Sequence, residues 1–170
     1  MKSNKNLVFL GMMGSGKSSI GHLVSKKLAL NFIDIDNLIE DEMGMSIKNL
    51  FKVKGEAYFR NLEQKITLIA LKTNNSVISL GGGGFVNEKI NKEVLCNHFS
   101  FWLNLDEAIL LKRIRDSKKR PLAFKSTDHE IKQLIKFRSK IYSKAQFKIN
   151  CNKLTKTEIV KKIIKIYELC

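Results

Sequence analysis

Short, wholly apolar runs alternate along the chain with stretches in which apolar residues recur every three or four positions. Leu7-Val8-Phe9-Leu10 is the first such run, and a strand buried on both faces reads as a continuous apolar block rather than as alternation. Behind it, Ile20, Leu23, Val24 and Leu28 fall on one helical face. Phe32-Ile33-Asp34-Ile35-Asp36 predicts a second strand ending in two carboxylates, and Leu38 to Met43 a short helix stopped by Gly44. Ser46 can cap a helix carrying Ile47, Leu50 and Phe51. Phe59, Leu62, Ile66, Ile69 and Ala70 form the stripe of a longer helix from Glu56 to Lys72. Val77 to Leu80 and Phe99 to Leu105 predict the third and fourth strands, and Asp106 caps a helix through Ala108, Ile109, Leu111 and Ile114. Capping-box spacing at Thr127-Asp128-His129-Glu130 opens a helix through Ile131, Leu134, Ile135, Arg138 and Ile141. The same spacing from Thr155 to Glu158 starts a last helix reaching Leu169, after a fifth strand at Phe147-Lys148-Ile149.

This alternation, with no internal repeat and no linker, predicts one α/β domain over residues 1–170, its parallel sheet covered on both faces. Periodicity lapses from Ser117 to Ser126, a polar, basic stretch with the only proline, Pro121. A connection of that length between two helices suits a lid.

Bulk properties narrow the classes. No run of about 18 apolar residues exists, so no membrane span is expected. The first five residues lead straight into a strand without a signal-peptide core, which favours a cytoplasmic protein. Cys96, Cys151 and Cys170 are isolated, and the three histidines are scattered, so inert thiols and no His/Cys metal site are expected. The net charge of +15 invites a nucleic-acid reading. Only five of the 31 basic residues are arginine, however, and the lysines are spread along the chain. Compositional bias explains them, and neither a nucleic acid nor a membrane is an expected partner; a monomer is.

Candidate chemistry begins at Gly11-Met12-Met13-Gly14-Ser15-Gly16-Lys17-Ser18, which fits G-x-x-x-x-G-K-[ST] between a strand and a helix. There, backbone N–H groups and a helix N-terminus converge on phosphate. Lys17 would reach the β- and γ-phosphates and the Ser18 hydroxyl would ligate Mg²⁺, so a nucleoside triphosphate is the expected ligand. Asp34 and Asp36 point the same way if their strand persists. Such a pair can hold Mg²⁺ through water and orient a substrate hydroxyl; the alternative is a solvated strand end or a helix cap at Asp36. Four successive glycines, Gly81 to Gly84, call for positive φ or a close backbone approach. Arg60 and Glu63, at i and i+3, make an ordinary surface ion pair on spacing alone. Arg120-Pro121-Leu122 and Arg138-x-x-x-Tyr142 would each be unremarkable alone.

Together, the P-loop, Asp-x-Asp, Gly-Glu-x-x-Phe-Arg-x-x-Glu, Leu-Gly-Gly-Gly, Arg-Pro-Leu and Arg-x-x-x-Tyr occur in the order and approximate spacing of shikimate kinases. The chain resembles that family from Leu7 to its last helix, and four of its five arginines fall on positions the family uses. The resemblance implies a three-layer P-loop kinase fold of the nucleoside-monophosphate-kinase type, with a five-stranded parallel sheet in the order 2-3-1-4-5. It implies a substrate-binding segment near residues 33–62, a lid near 113–126, and Mg²⁺-ATP-dependent phosphorylation of the shikimate 3-hydroxyl on the route to chorismate and aromatic amino acids. Lys17, Asp36 and Arg120 would be catalytic. ATP would meet Gly11, Met13, Gly14, Ser15, Gly16, Lys17, Ser18, Ser19 and the lid residue Arg120, with Arg113 and Asn152 flanking adenine. Arg60 and Arg138 would clamp the shikimate carboxylate, with Asp36, Gly81, Gly82 and Gly83 around the ring. Ser18 and Asp34 would face Mg²⁺. The stretch Ile149-Asn150-Cys151-Asn152-Lys153 departs from the acidic-plus-basic pattern expected beside adenine.

Other small-molecule P-loop kinases remain open at this point, a gluconate kinase in particular, since it too needs a carboxylate clamp. A basic nucleic-acid-binding NTPase is the non-enzymatic alternative, although no aromatic-basic clusters favour it.

Overall fold

The apolar run Leu7–Leu10 is the central strand, β1, of a five-stranded sheet in the computed structural model, which describes residues 4–116 and 126–170. The other strands are β2 (Asn31–Asp34), β3 (Ser76–Ser79), β4 (Phe99–Asn104) and β5 (Phe147–Asn150). All pair in parallel, in the expected order β2-β3-β1-β4-β5. Phe9 of β1 lies opposite Ser79 on one side and Phe101 on the other. Phe101 in turn stacks on Phe147, ring centroids 4.9 Å apart, so aromatic contacts run from β1 to β5.

The helices among the described residues are α1 (Lys17–Leu28), α2 (Ile35–Met43), α3 (Ile47–Leu71), α4 (Glu88–Asn97), α5 (Glu107–Asp116), α6 (Asp128–Tyr142) and α7 (Lys156–Glu168). The crossover through α1 moves one way along the sheet and that through α4 the other. Right-handed connections therefore put these helices on opposite faces. α7 packs beside α1, and α3 beside α4. Both predicted capping boxes are present, Thr127 with Glu130 and Thr155 with Glu158. None of these helices is long and apolar enough to cross a membrane.

Three boundaries differ from the sequence pattern for identifiable reasons. β2 ends at Asp34, whose Oδ1 accepts from the Asp36 and Asn37 amides at 3.0 and 3.3 Å and so caps α2. Asp36 belongs to the first helical turn, and the shared strand face expected for Asp34 and Asp36 does not form. The two helices expected on either side of Gly55 run into one another as α3, broken only at Gly55, where φ is +78°. α4 has no counterpart in the sequence reading. Its signals are Asn87, which caps it by accepting from Lys89 and Ile90, and the one-turn spacing of buried Ile90 and Val94.

Asn6, fully buried ahead of β1, ties the sheet to the preceding helical layer. Its Nδ2 donates to the Leu71 and Thr73 carbonyls at 3.1 and 2.6 Å, while Oδ1 accepts from the Ser76 amide at 3.0 Å. One side chain thus joins the end of α3 and the start of β3 to β1. Asn6→Ala leaves three backbone groups, two of them buried, without this partner, and each such loss costs about 1–3 kcal/mol when water cannot reach it. Urea denaturation is expected to show a loss of about 2–4 kcal/mol, allowing for partial rehydration at the strand end. A change below about 0.5 kcal/mol would show that the latch is redundant.

Candidate active site

The loop between β1 and α1 is held in a shape that only glycine adopts cheaply. Gly11, Gly14 and Gly16 have φ of +144°, +80° and +93°, a region costly for residues bearing a Cβ. Gly16 stands at the N-cap of α1, so the turn delivers free helical N–H groups toward the mouth of the loop. Lys17 is only 7% exposed, and its Nζ donates to the Gly11 and Met12 carbonyls at 2.9 and 3.1 Å. Its charge is held over the loop. Ser18 and Ser19 are exposed in the first helical turn, while Ser15 is buried. Arg113 from α5 reaches across to donate from Nη1 to the Gly14 carbonyl at 3.1 Å.

Beside this loop, Ser15, Gly16, Leu105, Arg113, Cys151 and Leu154 line a cleft. Burial pushes the Cys151 thiol up to about 11, so it faces the cleft as a neutral group. Asn152 is not among the lining residues. Its Oδ1 accepts from the Asp106 amide and its Nδ2 donates to the Asp106 carboxylate, each at 2.7 Å. Asn152 therefore ties together the two turns that wall the cleft.

A second pocket opens beyond the carboxyl ends of β1, β2 and β3, where ligands of parallel α/β sheets are bound. Asp36, Arg60, Glu63 and Arg138 face it from α2, α3 and α6, with Met13, Gly82 and Gly83 forming its base and Phe51 and Phe59 an apolar wall. Met13, placed in the loop by sequence, thus also borders this pocket. Arg60 Nη1 meets Glu63 Oε2 at 2.6 Å, and Glu56 lies 3.3 Å from the same guanidinium. The i, i+3 pair is present but not on the surface: Glu63 is 3% exposed. Burial holds its carboxyl above the ordinary 4.5, and Arg60 opposes that shift. Arg138, 6% exposed, donates from Nη1 to the Gly82 carbonyl at 3.0 Å. Tyr142, one turn further along α6, donates its hydroxyl to the same carbonyl.

Of the four glycines after β3, Gly81, Gly82 and Gly83 are needed for room, not for backbone freedom. None of them has positive φ. A Cβ on Gly81 would stand 2.9 Å from Asp36 Oδ1 and closer still to Glu63 Oε1, and one on Gly83 would stand 2.5 Å from Arg60 Nη1. Gly81 does not line the pocket; it lets the charged side chains that do so pack against the chain.

Asp34 closes β2 near the loop, 9% exposed, with Oδ1 committed to its capping bonds. No group of three His, Cys, Asp or Glu side chains able to hold a metal exists among the described residues. Arg120, Pro121 and Leu122, with the greater part of the expected lid, lie outside the described residues.

The shikimate kinase family model matches residues 13–168. The chain belongs to that family. The shikimate kinase of Thermodesulfovibrio yellowstonii is 36% identical over 165 residues, which are 96% of this chain and 95% of that one. The crystal structure of shikimate kinase from Aquifex aeolicus superposes with a TM-score of 0.86 at 37% identity, covering 96% of each chain. A shikimate kinase from Acinetobacter baumannii, solved in complex with shikimate, superposes with a TM-score of 0.92 over 99% of this chain and 95% of that one. At 24% identity it speaks for the shared shikimate kinase fold.

Two outcomes follow from the packing at the glycine turn. Gly81→Ala must displace Glu63 and Asp36 and is expected to cost about 1–3 kcal/mol of stability. Gly84→Ala meets nothing closer than 3.6 Å and should cost less than about 1 kcal/mol. Equal losses in urea denaturation would mean that backbone freedom, not space, selects glycine here.

The second concerns Glu63. A carboxyl whose pKa is raised by folding binds its proton more tightly in the folded state, so its ionisation opposes folding. That cost is absent below the ordinary value of 4.5 and grows as pH rises through the elevated folded value. The stability of Glu63→Gln relative to the parent should therefore climb between pH 4 and pH 8. A flat or falling difference in denaturant titrations would contradict it.

Proposed function

We propose that this chain, as a single kinase domain, transfers the γ-phosphoryl group of ATP to the 3-hydroxyl of shikimate. The observation that carries the specific reading is that two guanidiniums on different helices, Arg60 and Arg138, line one small pocket beside a phosphate-binding loop. A planar fork grips a carboxylate through two parallel N–H···O bonds, which lysine cannot copy. Shikimate carries one carboxylate and a hydroxylated ring, and the pocket offers two cations, two carboxylates and an apolar wall.

In this reading Arg60 and Arg138 clamp the acid, the former held by Glu63. Asp36 orients the acceptor hydroxyl and takes its proton as the oxygen attacks phosphorus. The Gly82 and Gly83 backbone bounds the ring. Gly11, Gly14, Ser15, Gly16 and Ser19 cradle the phosphates, and Lys17 places its ammonium where charge gathers on the transferred group. Arg120 approaches that group from the lid and, with lid closure, excludes water as a competing acceptor. Arg113 flanks adenine in the cleft whose wall Asn152 braces. Ser18 offers a hydroxyl, and Asp34 a second carboxylate oxygen beyond the one that caps α2. These hard oxygen donors suit magnesium, which takes few protein ligands and keeps its waters. When bound, the ion neutralises charge on the phosphate oxygens. The partners are the two small molecules, and the enzyme acts as a cytoplasmic monomer.

Arg60→Lys and Arg138→Lys keep the charge but lose the fork. Loss of a charge-assisted hydrogen bond costs about 1.5–3 kcal/mol, so the calorimetric Kd for shikimate should rise by about 10- to 100-fold. ATP affinity should stay within about twofold, whereas Arg120→Ala should lower kcat by about 10³-fold instead. Normal shikimate binding in both lysine variants would overturn the clamp.

A further inference from the structure

We propose that Tyr142 is a positioning residue for the acceptor site, acting through the Gly82 carbonyl to hold the Arg138 guanidinium in register. This rests on the carboxylate clamp of the preceding section. Arg138 and Tyr142 lie four residues apart on α6 and so share a helix face. Both donate to one acceptor: Arg138 Nη1 at 3.0 Å and the Tyr142 hydroxyl together fill the lone pairs of the Gly82 oxygen. The tyrosine has little freedom to do otherwise. It is 2% exposed, and its ring is wedged between Trp102 and Phe85, with centroids 6.1 and 6.5 Å away. Burial pushes its hydroxyl up to about 12, so it remains a donor throughout the range in which a kinase works.

The fixed carbonyl has two consequences. Arg138 is anchored through Nη1, on the Gly82 carbonyl and against the Met12 sulfur at 3.9 Å, which leaves the rest of its fork to face the pocket it lines. The planar trans peptide also fixes the N–H of Gly83, at its other end, in a set direction beside Arg60. Without the hydroxyl, the carbonyl keeps Arg138 as its one donor and the peptide can turn. The guanidinium then turns with it. Tyr142 itself does not line the pocket, so its effect must pass through these neighbours.

The test is Tyr142→Phe, which removes one oxygen and keeps the ring packing. Affinity for shikimate, measured by titration calorimetry, should fall about 5- to 20-fold, as expected for one buried hydrogen bond. The Kd for ATP and kcat at saturating shikimate should stay within about twofold. In an Arg138→Lys background the same substitution should cost less than about twofold, because the group it positions is gone. An analogue of shikimate without the carboxylate should bind the parent and Tyr142→Phe equally. A merely structural tyrosine would weaken ATP and both acceptors alike, or lower Tm without touching shikimate affinity, and either result overturns the proposal. So does an undiminished loss in the Arg138→Lys background. If instead the parent binds the carboxylate-free analogue as tightly as shikimate, the clamp itself is wrong and the positioning role falls with it.

Discussion

Charged side chains can crowd against the chain leaving β3 because no Cβ stands in their way. Glu63 and Asp36 press on Gly81, the Arg60 guanidinium on Gly83, and Arg138 and Tyr142 converge on the Gly82 carbonyl. The bare turn also brings α2, α3 and α6 to one point at the carboxyl end of the sheet. A single methyl there would push a buried carboxylate off its guanidinium, and an unpaired buried charge is far costlier than a void of the same size. The acceptor pocket therefore depends on steric permission granted at three consecutive positions.

The loop before α1 is glycine-rich for a different reason. Gly11, Gly14 and Gly16 turn the chain through positive φ, so that backbone donors rather than side chains face the phosphates. One site thus has two glycine turns, one selected by backbone angle and the other by space. The division suits the proposed ligands: a phosphate chain can be held by N–H groups, whereas a carboxylate on a ring is better gripped by arginines. Met13 and Gly82 join the two halves, since a Cβ on Gly82 would lie 3.3 Å from the Met13 amide. That contact keeps the acceptor pocket beside the phosphate-binding loop.

Much of this was legible in the sequence, because it depends on short-range pattern. The strand–loop–helix around Lys17, the capping boxes at Thr127 and Thr155 and the scarce arginines all announce themselves locally. The strand order came through resemblance to a family. Features decided by tertiary contact were not legible. An i, i+3 Arg–Glu pair looks the same whether Glu63 is buried or solvated. The end of β2 turned on whether Asp34 would find two amides to cap. α4 was hidden because few apolar residues, Ile90, Val94 and Leu95, mark its inner face among Lys, Glu and Asn. The bonds of Asn152 to Asp106, 46 positions away, left no local trace. The glycine run signalled that something was needed, but angle and space leave the same letter.

The proposed function requires a pocket that takes a carboxylate-bearing, hydroxylated ring. ATP consumption by the purified protein, compared across shikimate, gluconate, nucleoside monophosphates and no acceptor, tests this most directly. The expected result is a kcat/KM for shikimate at least about 10³-fold above every alternative, in keeping with buried polar groups that reject ligands leaving them unpaired. Comparable turnover of gluconate or a nucleotide, or ATP hydrolysis indifferent to acceptor, would contradict it.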